Sequence, residues 1–183
     1  MRKRTPLLLS VALTLLSGPF VHAEGQATSM LSEAQMAAIR QNCTSVQSAL
    51  SRIHTNDVLS RVHLGQEYET ISTKFMAPMN SRVALMKQNG IELAKTTVDF
   101  NDRLTKFRSQ YQQYELALLQ PIQMKCTDQP VAFYDALADA RDARAAVKEL
   151  VNELGGLASQ YSAQVKELRA QVIPTGAQVE PTT

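Results

Sequence analysis

Few residues in this chain have the type and spacing to do chemistry, and two pairs stand out. Cys43 and Cys126 are its only cysteines. In an oxidising compartment such a pair forms a disulfide; in a reducing one it stays as two thiols. A bridge over so long a loop stabilises by about 4–5 kcal/mol on the chain-entropy model. There is no Cys-x-x-Cys, so the expected role is structural rather than redox. Asp57 and Arg144 are charges that fall on otherwise apolar helical seams. A semi-buried carboxylate–guanidinium pair between them, with Phe107 alongside, would fix helix register. The competing expectation is that both turn outward to water.

The polar run Arg52, His54, Asn56, Asp57, Arg61, His63, Glu67 is the next place to look. His54 with Asp57 and His63 with Glu67 share helix faces, as weak metal ligands would. Yet His54 and His63 are nine positions apart and face different ways. No metalloprotease, nucleophile-elbow or phosphate-loop motif occurs. A solvated face of ion pairs is the better reading. No catalytic residue, metal site or cofactor is expected, and the chain reads as a non-enzyme.

The elements that must position these residues are helices. One heptad stripe runs Val83, Met86, Gly90, Leu93, Thr97, Phe100, Leu104, Phe107, Tyr111, Tyr114, Leu118. Another runs Phe133, Leu137, Ala140, Arg144, Val147, Val151, Leu154, Ala158, Tyr161, Val165, Leu168, Val172. Their 3-4 spacing keeps an apolar seam on a partner helix. Folded back antiparallel, Leu118 meets Phe133, Phe107 meets Arg144, and Gly90 meets Tyr161. A third stripe starts after a capping box at Ser32 and Gln35, loses phase near Asp57–Val62, and resumes to Phe75. The expected fold is all-α: an elongated antiparallel three-helix coiled-coil bundle, with helices at about 32–76, 80–120 and 130–172. Pro78 marks the first corner; Pro121 and Pro130 bracket the second. The alternative is a two-helix hairpin with a loosely attached first helix. The register that brings Cys43 to Cys126 turns the chain near residue 82 rather than at Pro78, and sets Asp57 level with Phe107 and Arg144.

Phe75, Met76, Met79 and Met86 flank the first corner, opposite the disulfide. Thioether side chains suit adaptable apolar contacts, so this corner is a candidate interaction tip. The plainer reading is that these residues cap the core.

The first residues indicate destination. Arg2, Lys3 and Arg4 precede an apolar run from Leu7 to Leu16, then Gly18-Pro19 and Val21-His22-Ala23. This is the pattern of a secretory signal peptide cleaved after Ala23; the alternative is an uncleaved anchor. Residues 24–172 then form the helical domain, and 173–183, rich in Pro, Thr and Gln, a disordered tail. Of the 19 Lys and Arg, three lie in the leader, leaving 16 against 17 Asp and Glu. That near-neutral balance, without a basic patch, gives no support for nucleic-acid binding. No further stretch is apolar enough to span a membrane.

The expected function is therefore an exported interaction or structural module of the cell envelope or secreted fraction. It would be a monomer or weakly self-associating, with an unknown protein partner. A periplasmic holdase-type chaperone is one alternative. The chain resembles the Skp-type chaperones in being exported and built of helical hairpins, and departs from them in lacking a strongly basic surface. A membrane-active helical protein is the other.

Overall fold

A computed structural model describes residues 31–172; the leader (1–23) and the tail (173–183) discussed above lie outside them. The described residues form α1 (Glu33–Thr70), a π-helical stretch (Ile71–Met76), α2 (Ala77–Leu85), α3 (Ile91–Gln123) and α4 (Pro130–Val172). The backbone stays right-handed helical through both junctions of the π stretch. The first three segments are thus one continuous helix, and the fold is an all-α bundle of three.

The start of α1 follows from its residues. Ser32 Oγ accepts from the Gln35 amide, and Gln35 Oε1 accepts from the Ser32 amide at 2.8 Å. This reciprocal bonding satisfies donors that a helix start leaves free. The first corner differs from expectation. Pro78 does not end the helix, which runs nine residues past Met76. A proline inside an α-helix loses a hydrogen bond and clashes with the carbonyl four residues back. Here the preceding turn is widened: the Ala77 amide bonds to Ser72, five residues back. The wide turn makes room for the ring, and Pro78 sits in the first turn of α2.

The chain reverses at residues 86–90 instead. The Lys87 amide bonds Ala84 and the Gln88 amide bonds Val83, with Lys87 at φ 56°. This is a Schellman stop with a lysine where glycine is usual. Asn89 Oδ1 then accepts from the Ile91 amide and helps to start α3. Gly90 is small for a local reason: an added Cβ would meet Val83 Cγ1 at 2.7 Å. It packs on the end of the first helix, not on Tyr161 as the seam reading had it.

The wide turn also explains which side chains are inside. Upstream the seam takes Cys43, Leu50, Asp57 and Leu64; Arg61, not Ser60, takes the half-buried place after Asp57. Downstream the inward positions are Tyr68, Ser72, Met76 and Val83. An extra residue in the turn moves burial from Phe75 to Met76. On α3 the seam from Leu93 to Leu118 is buried except at Thr97, where the neighbouring Thr96 turns inward instead, and Phe100 and Phe107 are fully enclosed. Tyr68 meets both rings edge-on, at 6.1 and 5.7 Å between centroids, a favoured aromatic geometry. Burying each such side chain stabilises by roughly 1.5–3 kcal/mol.

α4 packs chiefly on α3. Its row Phe133, Ala140, Val147, Leu154, Tyr161, Leu168 is buried, while Leu137, Val151, Ala158 and Val165 are only half-covered. The register also slides. The expected alignment sets Arg103 level with Lys148, but Arg103 pairs with Glu153 at 2.6 Å. Thr96 reaches Gln164 rather than lying level with Gly155.

Candidate functional site: a charged crossing between two unlike ends

At one end Cys43 and Cys126 form a disulfide, with Cα atoms 5.7 Å apart. It ties α1 to the loop between α3 and α4. Gln47, one turn on from Cys43, places Nε2 within 2.6–3.0 Å of the carbonyl oxygens of Pro121, Ile122 and Met124. Those carbonyls lie at the α3 terminus, where helices leave acceptors unpaired. Sequence reasoning missed Gln47; the signal was a long amide one turn from the half-cystine, facing a helix end that contains a proline.

Midway along the bundle, all three helices contribute to one polar crossing. The Arg144 Nη2 donates to Asp57 Oδ1 at 3.2 Å, and the Tyr114 hydroxyl donates to Asp57 Oδ2 at 2.5 Å. Asp57 is 18 % exposed and Arg144 57 %, so the guanidinium bonds inward while its remaining donors face water. Phe107 is not the aromatic partner. One register step away, Tyr114 takes that place, as the slid alignment of α4 requires.

A second set of charges flanks the crossing on the α1–α3 side. Arg61 lies over the Tyr111 ring at 5.4 Å and donates to Glu115 at 2.8 Å. His54 Nε2 is 3.7 Å from the other Glu115 oxygen, and His63 is exposed. Burial, then the Asp57 charge, pushes the Tyr111 hydroxyl up to about 12; burial and the hydrogen bond to Asp57 push Tyr114 up further. Both stay protonated across the physiological range, so Tyr114 remains a donor. Among the described residues no three His, Cys, Asp or Glu are grouped to hold a metal ion.

The methionine corner is divided. Met76 is 1 % exposed, and the single Tyr161 hydroxyl proton lies between its carbonyl at 3.1 Å and the Asn80 Oδ1 at 2.8 Å. It is a core residue and leaves the candidate tip. Met79 is half-buried against the core. Phe75 and Met86 are exposed at 63 % and 50 %. The reversal at 86–90 adds two residues the sequence reading omitted, Leu85 at 83 % and Ile91 at 71 %. Their exposure follows from the helix ending late, which carries Leu85 out to the turn. Among the described residues, no helix is long and apolar enough to cross a membrane.

No family model, no curated protein and no solved structure matches the chain.

Proposed function

We propose that this protein is an exported, non-enzymatic helical interaction module of the cell envelope or secreted fraction. Its contact surface would be the closed end of the bundle around residues 85–91. The carrying observation is the exposure of Leu85, Met86 and Ile91 together at one reversal, whereas singly exposed apolar residues need no explanation. Export is supported by the basic and apolar leader pattern and by a disulfide, which persists in oxidising compartments.

The test replaces Leu85 and Ile91 together with glutamate in the full chain. Crosslinking from native envelopes should then lose the partner bands that the parent chain gives, with helicity unchanged. Retention of every band removes the closed end as the contact surface. N-terminal sequencing of the exported protein should begin at Glu24; a start at Met1 rejects cleavage. Suppression of a model client's aggregation, lost in the same variant, would turn the reading toward a holdase. Leakage of liposomes would turn it toward membrane activity.

A further inference from the structure

A cleft runs between α1 and α4, because α4 leaves its second seam row half-covered. Toward the disulfide end it has a volume of about 350 Å³, within the range of small-ligand sites. Its walls are Val46, Leu50 and Ile53 of α1 with Leu137 and Ala140 of α4, over Leu118. Arg141, Arg144 and Tyr114 also line it.

The charge around this cleft is unbalanced. Arg141, Arg144 and Lys148 recur at helical spacing on one face of α4, and Arg144 and Lys148 also line the adjoining cavity of about 590 Å³. The carboxylate facing them is Asp57, whose two oxygens are taken by Tyr114 and Arg144. Arg141 makes no ion pair among the described residues. The Tyr111 hydroxyl, buried at the wall of the second cavity, has no hydrogen-bond partner. Arg141 is thus an unpaired cation at the apolar slot, beside an Arg144 that bonds Asp57 through Nη2 alone, while Lys148 and the Tyr111 hydroxyl are left over at the adjoining cavity.

We propose that the cleft binds a single-chain amphiphile with a carboxylate head. The acyl chain lies along Leu50, Ile53 and Leu137, and the carboxylate sits between Arg141 and Arg144, where a guanidinium fork recognises it best. The occupant is a thin chain rather than a partner helix. Asp57 and Arg144 join across the cleft at 3.2 Å, which leaves no room between α1 and α4 for a cylinder roughly 10–12 Å wide. This site is separate from the closed end and does not depend on it.

The test is calorimetric titration of the full disulfide-bonded chain with palmitate, below the concentration at which palmitate aggregates. Hexadecanol and an acidic amphipathic peptide serve as controls. One palmitate should bind per chain, at least tenfold tighter than hexadecanol, with no peptide binding. Arg141→Gln should weaken it at least tenfold with unchanged melting, and Ala49→Phe, which fills the slot, should abolish it. Absence of saturable palmitate binding overturns the proposal, as does equal binding of hexadecanol or full affinity in both variants. Peptide binding, or self-association lost in Ala49→Phe without palmitate binding, also overturns it and assigns the cleft to a helix or a second copy.

Discussion

The two ends of the bundle solve the same problem by different means. At the disulfide end, chain reversal is held by a covalent bond and by Gln47 reaching three carbonyls. At the closed end it is held by a Schellman stop, an enclosed Met76 and Val83, and close packing of Gly90. One end adds a cross-link and exposes Val131, Tyr134 and, a little farther along α3, Leu116. The other relies on packing and leaves Leu85, Met86 and Ile91 in water. The most exposed apolar side chains, Leu85 and Ile91, sit at the end without the clamp, where the enclosed Met76 and Val83 carry the packing.

The largest effect should come from removing the clamp. Replacing Cys43 and Cys126 with alanine should lower unfolding free energy by about 4–5 kcal/mol, read from denaturant titration. A loss below 1 kcal/mol would show that Gln47 and the seams suffice at that end. Next in size is the contrast across the wide turn. Met76→Ala should cost about 2–5 kcal/mol, as deletions from an enclosed site do, and Phe75→Ala less than about 0.5 kcal/mol. Equal costs would mean the extra residue of the turn lies elsewhere.

Between the ends, the tyrosines give a pH signature. Tyr68, Tyr111, Tyr114 and Tyr161 are all raised above 10, chiefly by burial, with Tyr111 at about 12. A raised folded value means the fold favours the protonated form. Their contribution is therefore complete below pH 10 and lost as pH climbs through each raised folded value, about 12 for Tyr111. Ultraviolet titration should show these phenols ionising late and together with alkaline unfolding; early ionisation in a folded chain would contradict their burial. At the closed end, Lys87→Gly should stabilise by up to about 1 kcal/mol by relieving a left-handed lysine. A similarly small effect should be the coupling of Asp57→Asn with Arg144→Met, about 0.5–1 kcal/mol because Arg144 is exposed. A coupling near zero would remove the crossing as a register device.

The α3 and α4 seams were legible because burial repeats every seven residues, as at Leu104, Tyr111 and Leu118. So were the Ser32 cap and the meeting of Asp57 with Arg144. The register of α4 was not. A seven-residue repeat makes alignments one heptad apart nearly equivalent, and side-chain pairs such as Arg103 with Glu153 decide among them. The end of the first helix was missed because Pro78 reads as a stop. Its accommodation depends on a widened turn that leaves no mark in the apolar pattern until Phe75 and Met76 exchange places. The cleft was invisible for a related reason: Leu137 and Val151 have seam identity, and only the packing shows them half-covered.

The position of the disulfide has a topological consequence. Residues 43–126 form a closed covalent ring that contains most of α1, all of α2 and all of α3. α4 hangs outside that ring as a tail. Scission at the 86–90 reversal would open the ring without releasing a fragment, since both pieces stay joined through sulfur. Scission near the 127–129 link would free α4, the helix that supplies Arg141, Arg144 and half of the cleft. The molecule is thus built as a lariat: its closed end can be nicked and remain one molecule, while its cationic wall is the part that can leave.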